Sequence, residues 1–343
     1  MNSYLILQHP GHNRVYYNTA DKLALAELQL AIGNLNVASN DISITHIAGI
    51  RYLKIELEEN LNEVELTKLS RLSFFFALFQ LKDNCLIPIM KSSYEFVDDK
   101  LSTLWKYPGK TNELFTKMMI HVAVLSSDFS IEEPLLLLDP VAGKGTTLFE
   151  AIIYGYHAIG VELNNKSVLE SSTFFKQYLQ SERFKYEFEK RQVFGKNKQE
   201  AIYAQHFRFA KNKQDFKTEE NSRHLSLING STTSCGNYFK QQTFHLIVGD
   251  LPYGIKHKNT SKKGVTPSMS AEQLVSESAE QWYKLLKSGG TLVLGWNSFI
   301  NSKKQLSGIL EQAGFKVLNE TPYGNFLHIV DKSIKRDILV AKK

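Results

Sequence analysis

Two stretches of this 343-residue chain bring together residue types that could do chemistry at one place. The first is LLLLDPVAGKGTTLFEAIIYGYHAIGVELN, residues 135–164. An apolar run ends in Asp139–Pro140, a turn carries Gly143 and Gly145, and Thr146 opens a helical stretch. Glycines let backbone approach a ligand closely, at the carboxyl end of a strand, where open α/β sheets bind cofactors. Glu162 ends the next apolar run, seventeen residues beyond Gly145. A carboxylate there suits a pair of ribose hydroxyls, because it can accept both hydrogens. Several nucleoside cofactors satisfy this much. A Walker ATP loop does not: it needs Gly-Lys-Ser/Thr, and Lys144 is followed by Gly145. A dinucleotide fold and a tight turn without a ligand both stay open on a lone Gly-x-Gly. The second stretch is HLIVGDLPYGIKHKN, residues 245–259, an apolar run ending in Asp250–Leu251–Pro252–Tyr253–Gly254. An ordinary loop could carry these residues. Their place directly after a buried strand, downstream of the glycine turn, favours a site.

The flanking sequence supplies the elements that must position both stretches. Leu135–Leu138 is a continuous apolar run, the mark of a strand buried on both faces. Thr146–Tyr154 reads as a helix and Ala158–Glu162 as a second strand, which makes one βαβ unit of a parallel sheet. Leu225–Ile228, His245–Val248 and Thr291–Gly295 read as further strands, with a helix over Ala271–Leu286. Phe315–Tyr323, Phe326–Val330 and Asp337–Ala341 close the chain as a β-rich end. Upstream, Glu113–Ser126 reads as a helix, and Lys91–Leu104 as a linker.

The first hundred residues read as a small α/β module. Ser3–Leu7 and Arg14–Tyr17 are β-like around a Pro10–Gly11 turn, and Ala20–Ile32 is helical. Ile42–Ile47 and Tyr52–Leu57 alternate like half-buried strands, Glu63–Leu72 is helical, and Ser73–Leu81 and Leu86–Met90 are strands. Residues 165–217 read as one long helical stretch. Its part over 181–217 carries ten Lys/Arg, five Asp/Glu and eight interleaved aromatics. That pattern serves either nucleic-acid contact or the inward packing of an amphipathic helix.

Length and composition bound the rest. At roughly 150 residues per domain, 343 residues make about two domains. The boundary is drawn between a 1–95 module and a 96–343 domain. The apolar run Leu72–Leu81 is broken by Ser73 and Gln80 and falls far short of the ~20 residues that span a bilayer. The start, MNSYLILQHPGHNR, has no basic region ahead of its apolar stretch and no small-residue cleavage site, so no signal peptide is expected. Cys85 and Cys235 stand too far apart in sequence for a CxxC metal site, and two cysteines make no disulfide framework. A reducing, cytoplasmic setting without a metal follows. Charge is uneven: residues 1–100 hold 9 Lys/Arg against 12 Asp/Glu, while 101–343 hold 32 against 23. The basic excess suggests a polyanionic partner, most simply nucleic acid, with solubility alone as the plainer reading.

Taken together, the glycine turn and Asp250–Leu251–Pro252–Tyr253 resemble the methyltransferases that use S-adenosylmethionine to modify amino groups of nucleic-acid bases. Their shared element is Asp/Asn-Pro-Pro-Tyr/Phe, and Asp-Leu-Pro-Tyr looks like the variant of THUMP-associated RNA guanine-N2 methyltransferases. YYNTADKLALAELQLAI, residues 16–32, resembles the opening of the archaeal-type tRNA guanine-10 N2-methyltransferases. The resemblance is specific over 135–164 and 245–257, moderate over 107–125 and loose over 1–95. It implies a Rossmann-like class I methyltransferase domain behind a smaller THUMP-like α/β module, with S-adenosylmethionine as cofactor and RNA, tRNA above all, as partner.

The resemblance also implies roles. Asp250 accepts a hydrogen bond from the target amine, and the carbonyl of Leu251 or Pro252 accepts the other. Proline fixes φ and stiffens that carbonyl. Tyr253 stacks on the flipped base through its ring, so Tyr253→Phe is expected to be nearly silent. Asp139, Pro140, Gly143, Gly145, Thr146, Glu162 and Leu163 belong to the cofactor site. YPGKTNELFTKMMIHVAVL, residues 107–125, looks like the segment that holds the methionine part, with Tyr107, Gly109, Thr111 and Asn112 as contacts, although a plain helix start fits as well. One departure stands out: Ser231 occupies the place where the family has an acid for the adenine amino group. Three other readings stay open: a DNA amino-methyltransferase acting on adenine N6 or cytosine N4, a non-catalytic RNA-binding module, and a nucleotide-dependent oxidoreductase.

Overall fold

The computed structural model describes residues 2–9, 14–195, 201–253 and 269–343. The chain opens with β1 (Asn2–Gln8), α1 (Arg14–Gly33), β2 (Ser39–Ile47), β3 (Ile50–Leu57), α2 (Glu63–Ser70), β4 (Phe75–Lys82) and β5 (Cys85–Ile89). These strands form one antiparallel sheet in the order β2-β3-β1-β4-β5. Next come α3 (Lys100–Thr103), α4 (Glu113–Ser126), β6 (Leu136–Asp139), α5 (Thr146–Ile153), β7 (His157–Glu162) and α6 (Asn165–Ser181). They are followed by β8 (Lys185–Phe194), β9 (Ile202–Ala210), β10 (Arg223–Asn229), β11 (Phe244–Asp250) and α7 (Ala271–Leu285). The chain ends with β12 (Leu286–Asn297), α8 (Lys303–Gln312), β13 (Lys316–Leu318), β14 (His328–Ile329) and β15 (Lys335–Lys342).

The second sheet runs β13-β15-β12-β11-β6-β7-β10-β9-β8, with β14 beside β15. β10, β7, β6, β11 and β12 are mutually parallel, and β15 is antiparallel to β12. Leaving aside β14 and the β8–β9 pair, the strands count 3-2-1-4-5-7-6 across the sheet, with the seventh reversed. This is the Rossmann-like fold in its class I methyltransferase form. Its sheet changes direction between β6 and β11, and the crevice at their carboxyl ends is where such sheets bind ligands. The continuous apolar sequence of β6 follows from burial on both faces, and Leu137 and Leu138 are fully buried.

The two sheets share one hydrophobic core. Polar contacts reinforce the join. Buried Glu27 of α1 meets His121 of α4 at 2.8 Å and accepts from the Ser73 amide and hydroxyl. Arg71 donates to the Ile131 carbonyl at 2.6 Å and the Tyr156 hydroxyl at 3.0 Å. Buried charges of this kind are tolerated because each is met by a partner.

Several expectations are corrected. Arg14–Tyr17 is the first turn of α1 and not a strand. Lys91–Leu104 is no loose linker: it contains α3, buries Val97 and Leu101, and joins the body through a Phe96 amide bond to the Ile153 carbonyl. The helix expected over 165–217 stops at Ser181. Beyond it, β8 and β9 pair antiparallel, Tyr186 facing Phe209 and Phe188 facing Phe207. Aromatics at every second position are a strand signal, which the polar composition of the segment obscured. Phe207 and Phe209 are fully buried against Phe175 of α6, each at a ring separation of 5.2 Å. The β-rich end is thinner than expected, with β13 and β14 spanning three and two residues.

Candidate active site

The glycine turn folds as its residue types require. Gly143 and Gly145 both adopt positive φ, at 52° and 86°, which side-chain-bearing residues rarely do. Gly145 leads into α5, whose first residue, Thr146, is buried. Asp139 ends β6 almost fully buried and accepts from the Val141 amide at 2.9 Å. Burial pushes its carboxyl up to about 7, and the nearby Asp250 and Glu162 charges act in the same direction. Glu162 ends β7 and ties this strand to the turn: Oε2 accepts from the Gly143 amide at 2.9 Å and Oε1 from the Asn164 amide at 2.6 Å. Burial raises its pKa, while those two amides pull it down. Beside it Leu163 is three-quarters exposed, an apolar side chain facing open space at the crevice mouth.

Asp250 ends β11, in register with Gly295 of β12. Its Oδ2 accepts from the Thr111 hydroxyl at 2.7 Å. The Tyr253 hydroxyl lies 2.6 Å from both Oδ1 and Oδ2. Leu251 is buried and donates its amide to the Gly295 carbonyl at 2.8 Å, while Pro252 is exposed. Gly254 and the rest of the 254–259 part of the motif lie outside the described residues. Burial and the Asp250 charge both push the Tyr253 phenol well above its ordinary range.

The 107–112 segment divides. The Tyr107 hydroxyl and the Thr146 hydroxyl are 2.7 Å apart, so this segment touches the start of α5. Thr111 donates its hydroxyl to the carboxylate of Asp250. The Asn112 side chain caps α4 by accepting from the Phe115 amide, which is the plain helix start. Gly109 has φ 77° and no neighbour within 4 Å of where a Cβ would stand. Ser231 accepts from the Thr233 amide and shares a 2.8 Å contact with the Thr233 hydroxyl, so its side chain is engaged locally. Cys235 is buried, its thiol pushed up to about 12 by that burial. Among the described residues no cluster of His, Cys, Asp and Glu could hold a metal ion, and no helix is long and apolar enough to cross a membrane.

Two residues of the centre escape a reading of sequence alone. Arg336 of β15 is buried, with its guanidinium 3.6 Å from Asp250 Oδ2. It lies over the rings of Phe115 at 4.6 Å and Tyr253 at 5.0 Å. A Cβ at Gly295 would stand 2.8 Å from Asp250 Oδ1 and 3.1 Å from Met119 Sδ. The missing side chain at 295 is therefore what leaves room for the carboxylate. The only sequence signal is a charged pair, Arg336–Asp337, at the head of an apolar strand.

No family model matches this chain, and no curated protein matches it in sequence. Solved structures do resemble it. TrmN from Thermus thermophilus is 12% identical with a TM-score of 0.40, over 88% of this chain and 59% of its own. A TehB-like SAM-dependent methyltransferase from Corynebacterium glutamicum is 11% identical with a TM-score of 0.34, over 62% of this chain and 81% of its own. A 1,6-didemethyltoxoflavin-N1-methyltransferase from Burkholderia thailandensis, solved with S-adenosylhomocysteine, is 10% identical with a TM-score of 0.36, over 62% of this chain and 72% of its own. Similarity this distant says nothing of substrate or of chemistry.

Proposed function

We propose that this chain transfers a methyl group from S-adenosylmethionine to the exocyclic N2 amine of guanine in RNA, with tRNA as the RNA class. One observation carries the reading. An acceptor carboxylate, Asp250, ends β11 at the direction change of the sheet, next to β6, whose glycine turn is tied to Glu162. The residues present fit the cofactor. The turn backbone at Gly143 is open, the Glu162 oxygens keep lone pairs for ribose hydroxyls, and Leu163 offers an exposed apolar surface for a purine ring. When bound, the cofactor supplies an electrophilic methyl on a sulfonium; the products are S-adenosylhomocysteine, the methylated amine and a proton.

The chain contributes orientation. A base amine is a poor nucleophile because its lone pair is delocalised into the ring. Asp250 accepts one N–H bond and the Leu251 or Pro252 carbonyl the other, which turns the nitrogen lone pair toward the methyl donor. Thr111 keeps the carboxylate from rotating. The 1–95 module serves as a THUMP-like grip on the RNA, the 96–343 domain performs transfer, and the enzyme works in the cytoplasm.

Nucleoside mass spectrometry after incubation with RNA or DNA tests the substrate. N2-methylguanosine is expected; N6-methyladenine or N4-methylcytosine in DNA would replace the reading by the DNA alternative. Asp250→Ala should cut single-turnover transfer by ~10²-fold or more, since a slightly misplaced nucleophile costs that much. Cofactor affinity should hold, and Asp250→Asn should keep part of the rate.

A further inference from the structure

Arg336 is 5% exposed, and within the described residues its Nε has no hydrogen-bond partner. A guanidinium is costly to bury unless charge and geometry compensate it. Among the described residues it is met by the Asp250 carboxylate at 3.6 Å, by the faces of Phe115 and Tyr253, by the Tyr253 hydroxyl and, through charge, by Asp331. Such ring contacts strengthen where water is excluded. The fold brings these groups together from distant parts of the chain. Phe115 lies on α4, Asp250 ends β11, Tyr253 follows it, and Arg336 pairs with Asn297 at the carboxyl end of β12. Gly295 between them leaves the space they share.

Resting on the methyl-transfer reading above, we propose that Arg336 is a positioning residue for the reaction: it holds Asp250 and the Tyr253 ring in the geometry that receives the target amine. The carboxylate has about four acceptor positions. In the structure Thr111 takes one on Oδ2, and the Tyr253 hydroxyl lies against both oxygens. An arriving amine must take the place of that hydroxyl. Once the hydroxyl has gone, Thr111 and Arg336 still hold the carboxylate among the described residues. Arg336 does so through charge from the Oδ2 side, which leaves Oδ1 for the amine. It also backs the Tyr253 ring, so a base stacking on that ring meets a fixed surface. Lysine keeps the charge but not the flat face that lies on two rings.

The test compares the full chain with Arg336→Met and Arg336→Lys, using unmodified tRNA transcripts and radiolabelled S-adenosylmethionine. Arg336→Met should lower the single-turnover rate about 10²-fold, the scale of a misplaced nucleophile. Cofactor affinity should stay near wild type, half-saturating RNA should rise because the stacking ring is no longer backed, and Arg336→Lys should recover part of the rate. A rate unchanged in Arg336→Met, or one that falls only in step with cofactor affinity, would overturn the assignment. A crystal structure of Arg336→Met gives a readout that needs no RNA substrate. Asp250 should leave Thr111 and the Tyr253 ring should shift; both in their wild-type places would also overturn it. If no RNA is methylated by the wild type while those groups do move, the substrate reading fails and the positioning role stands.

Discussion

The Tyr253 hydroxyl sits 2.6 Å from both carboxylate oxygens of Asp250, which in the proposed reaction receive the target amine. By residue type alone Tyr253 is a stacking ring whose hydroxyl has no use, and on that view Tyr253→Phe is silent. In the structure that hydroxyl is engaged on the carboxylate. A hydrogen bond to a charged group is worth about 1.5–3 kcal/mol, and binding the amine must exchange this one.

Tyr253→Phe should therefore tighten the productive binding of RNA, lowering its half-saturating concentration, because no hydroxyl competes for the carboxylate. Tyr253→Ala should raise it, since the stacking ring is removed, at ~1–3 kcal/mol per base. Titration of single-turnover rates against RNA concentration separates the two. Equal shifts in the same direction for both variants would show that the hydroxyl has no part in substrate entry.

What is legible in the sequence is what burial and backbone conformation impose locally. β6 declares itself because a strand covered on both faces is apolar throughout. Gly143 and Gly145 declare the turn because their positive φ excludes most other residues. Asp250 and Glu162 are placed by standing at the ends of such strands. The β8–β9 hairpin is hidden because exposed strand faces are as polar as a solvated helix. Arg336 and Gly295 are hidden for a different reason: their roles exist only through their proximity to Asp250 and Phe115, far away in sequence. Thr111 stands out in the sequence, yet for a cofactor contact, since nothing in its neighbours points to Asp250.

Glu162 accepts two backbone amides and, in the proposed site, two ribose hydroxyls, which only the ionised carboxylate can do in full. Glu162→Ala should weaken S-adenosylmethionine binding by about 1.5–3 kcal/mol. The sign with pH follows from the raised pKa of Glu162. Affinity is complete where the group is ionised and falls as pH drops, at a higher pH than for an ordinary glutamate. Calorimetric titration of wild type and Glu162→Gln across that range checks this, and wild-type affinity flat down to the ordinary glutamate pKa would refute it.

Glu150 of α5 is fully buried, with Ser102 as its hydroxyl neighbour. Burial pushes its pKa from 4.5 up to about 7, against the pull of the Lys117 charge. For an acid raised in the folded state, the stabilising contribution is complete below the unfolded pKa and is lost as pH rises through the folded one. Glu150→Gln should then stabilise the protein above neutrality by roughly 1–3 kcal/mol, with the advantage shrinking toward acid pH. Urea unfolding at about pH 5 and pH 8 measures it; the same difference at both would sink the claim.

Residues 181–217 carry a net charge of +5, and the β8–β9 hairpin within them forms the free edge of the large sheet. The buried faces of Phe207 and Phe209 account for part of the aromatic pattern as packing, which leaves the charges to explain. Those charges are not equivalent. Arg191 is paired with Glu189, while Lys190 lies over the Tyr203 ring at 4.4 Å. Lys196 and Lys198 lie outside the described residues. If the hairpin touches RNA, replacing Lys190, Lys196 and Lys198 together should flatten the dependence of log affinity on log salt. The change should be about 0.7–0.9 for each phosphate that is no longer neutralised. Arg191→Ala alone should change the slope least, because a charge already neutralised by a carboxylate releases few counterions. Cofactor affinity should not move. A salt slope unchanged by the triple replacement would remove the hairpin from the RNA surface and leave its lysines as the solvated face of a packed edge.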